Sequence, residues 1–175
     1  MVSKKIIDAL NNQISLEGYA SQLYLAMSVW CDQEGLKGCQ RFLRRQSDEE
    51  RMHMLKIVDY LSTVNVRADI PGVALPSGAF ESIRELFEQV YAHEQKVTHS
   101  IHALVDLSVE EKDYGTQNFL QWYVTEQREE EDLARSILDT IKLIGSGAQS
   151  LYFIDKEVDQ INKSAQAAEV TNEGN

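Results

Sequence analysis

The sequence predicts an all-α protein: a four-helix bundle with one long crossover between its second and third helices, followed by a short fifth helix. Apolar residues recur every three or four positions through five successive stretches. The 175 residues include only two prolines, and both lie between the second and third stretches. Hydrophobic residues make up 43% of the chain, enough for one domain with a sizeable core. These three observations favour long packed helices over a sheet.

The first two predicted helices form an antiparallel hairpin. The first begins after Ser3, whose hydroxyl can cap the helix, and ends near residue 33. Glu34-Gly35 then interrupts the apolar pattern and predicts a tight turn. The second helix covers about residues 36–64. Because the connection is short, the two helices are expected to pack side by side in opposite directions.

A second hairpin follows a long connection. Residues 65–78 hold both prolines and exceed the length of an ordinary helix–helix loop. The third helix is expected at about residues 80–107, and the fourth ends near residue 144. Between them, Ser108-x-x-Glu111 resembles a capping box. Two hairpins separated by one long connection predict a bundle with a single crossover.

The last part of the chain is predicted to form a short helix and a tail. A glycine-containing segment, 145–147, ends the fourth helix. The fifth helix carries an apolar stripe at Leu151, Ile154, Val158 and Ile161. The residues that follow are small and polar. We therefore assign residues 1–162 to one domain and residues 163–175 to a flexible tail.

Charge and cysteine content exclude several classes of function. A formal net charge of −11 repels phosphate, so neither nucleic acid nor an anionic membrane is expected as a partner. Cys31 and Cys39 form no CxxC motif, which indicates reduced thiols rather than a disulfide framework or a zinc site. No signal peptide or membrane-spanning stretch is evident, so a cytoplasmic location is expected.

Each of the four long helices carries a metal-ligand residue type where its apolar stripe should continue. On the second helix, Glu50 and His53 lie one turn apart on the face of the apolar residues. The corresponding positions on the other helices are Glu17, Glu94, Gln127 and Glu130. Counted from the two turns, all of them fall near the middle of the bundle. Any one could be solvated, but converging buried carboxylates would repel one another without a cation.

The donor types indicate iron. Carboxylate-rich sites with one imidazole suit iron or manganese better than a structural zinc site. Glu17, Glu50, Glu94 and Glu130 balance two divalent ions, so we infer a di-iron centre that oxidises ferrous iron with dioxygen or peroxide. Known di-iron bundles carry Glu-x-x-His on two helices. Here the fourth helix has Gln127 at the first of these positions, and an amide is the weaker ligand, so the two iron positions should be unequal.

Nearly the whole chain resembles the bacterial non-haem ferritins. The residues that carry the resemblance run from Leu16-Glu17 through Gln121-Trp-Tyr-Val-Thr-Glu-Gln-x-Glu-Glu-Glu131 to the short fifth helix. The pair Gln127 and Glu130 separates this group from bacterioferritins, which carry Glu-x-x-His there. The resemblance implies a ferritin-like fold, a hollow homo-oligomeric shell of 24 subunits that stores ferric mineral, and a ferroxidase centre inside each bundle.

The resemblance also assigns roles to individual residues. Glu17, Glu50 and His53 would bind the first iron, and Glu50 would bridge to the second. The second iron would be held by Glu94 and Glu130. The fourth-helix amide would lie close enough to ligate this iron or to form a hydrogen bond beside it.

A third iron site and a tyrosine are implied next to the two-iron centre. The resemblance places the third site at Glu49, Glu126 and Glu129, although their spacing fits a solvated acidic face equally well. Tyr24 would lie beside the centre, where its phenol could donate an electron and a proton during oxygen reduction. Bacterioferritins bind haem through a methionine directly after the second-helix glutamate. Arg51 occupies that position here, so no haem is expected.

Two other functions are compatible with the sequence. A stand-alone di-iron peroxidase or oxidase related to the rubrerythrins would share the centre without storing iron. The usual rubrerythrin carries a cysteine-rich module, however, and this chain has no CxxC motif. A metal-free helical scaffold would need inward lysine or arginine residues at the depth of the carboxylates, and none is evident. Assembly size and metal binding distinguish the three functions.

Overall fold

The computed structural model describes residues 2–173, which form five α-helices and no strand. The helices are α1 (Lys4–Gln33), α2 (Lys37–Thr63), α3 (Ile83–Glu110), α4 (Tyr114–Ile144) and α5 (Ser150–Glu173). α1 packs on α2, α3 on α4 and α1 on α3, while α5 packs against α2 and α4. The predicted all-α bundle is confirmed. None of the described helices combines the length and apolarity needed to cross a bilayer.

Three helix ends share one cap, in which a single residue adopts the left-handed conformation. Gly35, Asn65 and Lys112 have φ values of 78°, 57° and 54° and follow the C-caps of α1, α2 and α3. The next residue in each case donates its backbone N–H to a carbonyl of the last turn, at 2.8 or 2.9 Å. The capping box predicted at Ser108-x-x-Glu111 is wrong. Ser108 is buried inside α3, and Asp113 caps α4 instead.

The crossover between α2 and α3 covers residues 64–82 and follows α1. The backbone N–H of Asp69 donates to the side-chain oxygen of Asn11 at 2.9 Å. Val73 lies beside Gly18, where a Cβ would be 3.8 Å from the valine side chain. α3 begins later than predicted because Ser82 caps it, its hydroxyl accepting from a backbone N–H at 3.1 Å. This long connection lets two antiparallel hairpins pack into one bundle.

α5 is longer than the short helix that the sequence pattern indicates. It continues to Glu173, so residues 163–173 are helical where a polar tail is predicted. The alanine and glutamine residues of this segment favour helix over irregular structure. That residues 163–175 form a flexible tail stays a prediction. Residues 174 and 175 lie outside the described part of the chain.

The hydrophobic core consists of two clusters separated by a polar layer. One cluster includes Met27, Phe42 and Phe87. The other includes Ile14 and Ile57. Each large apolar side chain buried in them stabilises the fold by about 1.5–3 kcal/mol. The clusters hold the four long helices together above and below the layer, so its side chains project from a packed scaffold.

Candidate metal centre

The polar layer contains all six residues that the sequence predicts for the two-iron centre. They are Glu17 on α1, Glu50 and His53 on α2, Glu94 on α3, and Gln127 and Glu130 on α4. None of the six is more than 6% exposed. A solvated acidic face is therefore excluded for these residues. Placing four carboxyl groups inside a core is costly unless something compensates their charge.

Glu17, Glu50 and His53 form one compact group. A ligand atom from each lies within 4.8 Å of the others, and His53 Nδ1 is 3.7 Å from Glu50 Oε2. One oxygen of Glu17, one oxygen of Glu50 and the Nδ1 of His53 are buried without a hydrogen-bond partner. Buried polar atoms normally have partners. These three atoms can all ligate a metal, so their position in one group without hydrogen-bond partners is what a bound cation requires.

Glu94 and Glu130 lie in the same layer but have hydrogen bonds from the protein. The oxygens of Glu94 accept from the Tyr24 hydroxyl and from Gln127 Nε2, the latter at 3.2 Å. Glu130 accepts from Gln46 Nε2 at 3.1 Å. These donors are neutral, so they satisfy the oxygens without cancelling a charge. The two halves of the layer therefore differ in how readily their oxygens can accept a cation.

The amide of Gln127 acts as a hydrogen-bond donor. Its Nε2 lies 3.2 Å from a carboxylate oxygen and 3.3 Å from the backbone carbonyl of Glu94, and 3.4 Å from the Thr98 hydroxyl. Three acceptors around one nitrogen define which end of the amide faces Glu94. The resemblance implies that Gln127 either ligates the second iron or forms a hydrogen bond beside it. The orientation of the amide matches the hydrogen bond.

Burial raises the pKa of all four carboxyl groups in the layer. The pKa of Glu94 reaches about 7. For Glu50, the negative charges of Glu94 and Glu17 raise the pKa further. Burial lowers the pKa of His53 to about 4, and the charge of Lys56 adds to this effect. At neutral pH the imidazole is therefore uncharged. The raised pKa values mean that the carboxyl groups hold their protons to a higher pH than usual, and a bound cation would displace those protons.

Two buried glutamines that support the layer were given no role from the sequence. Gln13 donates to Glu17 at 2.9 Å, and Gln46 donates to Glu130 at 3.1 Å. Each glutamine precedes a glutamate of the layer by four residues, one turn along the same helix face: Gln13 before Glu17, and Gln46 before Glu50. That spacing is the signal that could have identified them.

Tyr24 and His93 enclose the Glu94 side of the layer. Tyr24 is fully buried, and burial together with the charge of Glu94 raises its pKa well above the ordinary value. His93 is buried as well, at only 8% exposed, although it lies off the stripe formed by the apolar residues of α3. Its ring meets that of Tyr24 edge-on, at 6.0 Å between centroids. α3 therefore buries a wider face than its apolar residues alone indicate.

A second acidic group lies beside the layer and shares His53 with it. Glu49, His53 and Glu126 bring ligand atoms within 4.8 Å of one another, and His53 Nε2 is 4.0 Å from Glu126 Oε1. They line a hollow of about 520 Å³ between α2 and α4. Glu129, the third residue implied for this site, does not join them. It is exposed and lines a different hollow, together with Thr98 of α3.

A crossover four-helix bundle with inward carboxylates defines the class of di-iron carboxylate proteins. Residues 7–144 match the family model of the ferritin-like domain. A bacterial non-haem ferritin from Escherichia coli is 43% identical over 162 residues, covering 93% of this chain and 98% of the relative. A probable bacterial non-haem ferritin-like protein from Haemophilus influenzae is 42% identical over 165 residues, covering 94% and 100%.

Solved structures agree with these relatives. An open-pore ferritin from the archaeon Archaeoglobus fulgidus superposes with a TM-score of 0.88 at 43% identity, covering 91% of this chain and 98% of that one. A Chlorobium tepidum ferritin gives a TM-score of 0.82 at 42% identity, with 90% and 97% covered. The chain belongs to the ferritin-like domain family and, within it, to the bacterial non-haem ferritins, which confirms the resemblance seen in the sequence.

Proposed function

We propose that this protein stores iron and oxidises ferrous iron within its own bundle. The observation that carries the proposal is the set of buried, unpaired ligand atoms on Glu17, Glu50 and His53. Two carboxylates and a neutral imidazole form a donor set that suits ferrous iron. Membership of the ferritin family makes iron the expected substrate.

The two iron positions differ in affinity. Glu17, Glu50 and His53 bind the first iron, and Glu50 bridges to the second. The second position, at Glu94 and Glu130, is the weaker one, because it has no imidazole and both oxygens of Glu94 already accept protein hydrogen bonds, whereas Glu17 and Glu50 each have one oxygen without a partner. The difference in affinity agrees with Gln127 of α4, a neutral amide at a position where other di-iron bundles carry a glutamate.

The reaction transfers electrons from iron to an oxygen acceptor. Two ferrous ions supply two electrons, which reduce dioxygen with two protons to hydrogen peroxide, or reduce peroxide with two protons to water. Cation binding releases protons from the carboxyl groups whose pKa is raised. In this proposal the phenol of Tyr24, which donates a hydrogen bond to Glu94, is the source of a further electron and proton during oxygen reduction.

The group at Glu49 and Glu126 is assigned to a third, more exchangeable iron. It shares His53 with the two-iron layer and opens to solvent, so an ion there can move toward the layer or away from it. Glu129 would join this site only after its exposed side chain turns toward α2. The third site therefore rests on fewer fixed donors than the other two positions.

The subunits are expected to assemble into a shell of 24 copies in the cytoplasm. α5 exposes a group of large apolar side chains, Leu151, Tyr152 and Phe153, at 55%, 67% and 45%. A contiguous apolar patch of this kind marks a protein contact. Sizing chromatography tests the assembly: a monomer or dimer of the 19.9 kDa chain would remove the storage function and favour the stand-alone peroxidase or oxidase.

Aerobic addition of ferrous iron to the metal-free protein tests the oxidation. The wild-type protein should oxidise iron rapidly, and Glu50→Ala should lose the rapid phase because it removes a ligand common to both positions. Glu110→Ala is the matched control, since it removes an exposed carboxylate from α3. Rapid oxidation that survives in Glu50→Ala would contradict the site.

A further inference from the structure

Arg45 of α2 connects the second acidic group to α5. Its Nη1 donates to Glu49 Oε2 at 2.7 Å, and its Nε donates to the side-chain oxygen of Asn162 on α5 at 2.8 Å. A third bond runs from Nη2 to Gln46 Oε1 at 3.1 Å. The Arg45 side chain is only 13% exposed, and Asn162 is 4% exposed. The guanidinium is therefore fixed from three directions, in surroundings where salt screens a charge pair less than at the surface.

The same hydrogen bonds reach the two-iron layer. Gln46 receives a bond from Arg45 and uses its own Nε2 to donate to Glu130 at 3.1 Å and to Glu49 at 3.3 Å. Glu49 thus has two donors on one oxygen, one of them positively charged. A change in the position of Arg45 would alter both the second acidic group and a carboxylate of the layer.

A cation that binds at Glu49, His53 and Glu126 has to share Glu49 with Arg45. The guanidinium carries a full positive charge at hydrogen-bonding distance from Glu49 Oε2, so it competes for the Glu49 carboxylate and repels the incoming ion. Lys56 lines the same hollow, but its Nζ lies over the ring of Trp122, 4.1 Å from the centroid. The two cations of this hollow therefore have different contacts.

We propose that Arg45, anchored by Asn162, is a positioning residue that holds Glu49 in the absence of metal and limits the affinity of the third iron site. The inference rests on the proposed function, because it requires the second acidic group to bind iron. A ferrous ion bound there must compete with the guanidinium for the negative charge of Glu49, and the guanidinium stays close enough to hold Glu49 again when the ion leaves. The third ion is therefore easily released, and α5 sets how easily through its contact with Arg45.

Anaerobic titration of the complete, metal-free protein with zinc, a redox-inert probe, tests this role by calorimetry. Arg45→Gln should tighten the weakest binding step roughly tenfold, because it removes a partly buried charge pair from a ligand. Arg45→Lys should stay near the wild-type affinity, since its ammonium can still hold Glu49. Asn162→Ala keeps the charge but releases its anchor, so it should tighten the same step by a smaller factor.

Lys56→Gln is the matched control, since it removes the same charge from the same hollow without touching Glu49; less than about a twofold change is expected. In a Glu49→Gln background, Arg45→Gln should have no further effect on the weakest step. Weaker or unchanged zinc binding in Arg45→Gln, or equal tightening by Lys56→Gln, would overturn the proposal. Failure of the wild-type protein to bind zinc would instead overturn the metal site itself, and this role with it.

Discussion

The hydroxyl of Tyr24 on α1 donates a hydrogen bond to a carboxylate oxygen of Glu94 on α3, and neither residue is more than 2% exposed. Burial raises the pKa of Glu94 to about 7, and the bonds from Tyr24 and Gln127 oppose that rise. Because a hydrogen bond to the charged form favours it, Tyr24 helps to keep Glu94 ionised, which is the form that can bind a cation.

Tyr24→Phe should therefore raise the pKa of Glu94 above about 7 and slow iron oxidation at pH 7 by roughly tenfold, the effect of losing one hydrogen bond to a charged group. The rate should recover partly at higher pH, because the carboxyl group then loses its proton. The measurement is the initial oxidation rate between pH 6 and pH 8. Tyr91→Phe, at a half-buried tyrosine of α3, is the control. A pH profile that does not move would contradict this role of Tyr24.

The metal-free protein should lose stability as the pH rises above about 6.5. The pKa of Glu94 is about 7 in the folded protein against an ordinary value of 4.5, and the other three carboxyl groups of the layer are also raised. A raised folded-state pKa gives stability at low pH that is lost as the pH passes through it. The pKa values of His53 and His93, lowered from 6.5 to about 4, act oppositely, but this contribution levels off as the pH rises past 6.5, while the carboxyl groups continue to lose theirs.

Thermal unfolding in chelator at several pH values above 6.5 measures this loss. Zinc should remove most of the pH dependence, because the ions replace the protons that the carboxyl groups hold. Glu94→Gln should flatten the curve of the metal-free protein, whereas Glu110→Gln, at an exposed position, should not. A melting temperature that rises with pH over this interval would mean that the folded carboxyl groups carry no excess protons.

The sequence was sufficient to predict the helices and the buried layer because both depend on local spacing. Residues three or four apart share a helix face, so Glu50 and His53 had to point the same way wherever that face was directed. The turn at Gly35 then placed Glu17 at the same depth on the neighbouring helix. Charged residues interrupt the apolar stripes of the four helices at one level, and this pattern is sufficient to predict the layer.

Contacts that depend on the rotation of one helix against another could not be predicted in this way. The bond between Arg45 and Asn162 requires the exact seating of α5, and the burial of His93 depends on which side of α3 faces α1. Glu129 shows the same limit. It lies three residues from Glu126, yet the rotation of α4 leaves it exposed and outside the second acidic group.

Gly38→Ala should displace α5 from α2. A Cβ at Gly38 would lie 2.1 Å from the backbone oxygen of Asp155 and 2.9 Å from the Cβ of Asp159, and neither atom can move without the helix. Overpacking of this kind costs about 1–3 kcal/mol, so the melting temperature should fall. Gly115→Ala is the control, since its new Cβ meets nothing closer than 3.5 Å. An equal melting temperature for the two variants would show that α5 does not need this close approach.

Gln127→Glu should have opposite effects on the metal-free and metal-bound protein. It replaces an amide that donates to Glu94 with another carboxyl group, so the metal-free protein should lose about 1–3 kcal/mol of stability above neutral pH. The added charge should tighten the second iron position. The rise in melting temperature on adding zinc should then exceed that of the wild type.

Gln127→Ala separates charge from hydrogen bonding. It removes the bonds to Glu94 without adding a charge, so it should lower the stability of the metal-free protein yet gain no more from zinc than the wild type does. If Gln127→Glu also gained no more, residue 127 would lie too far from the second ion to influence it. The inequality of the two iron positions would then come from the imidazole of the first position and the hydrogen bonds of Glu94.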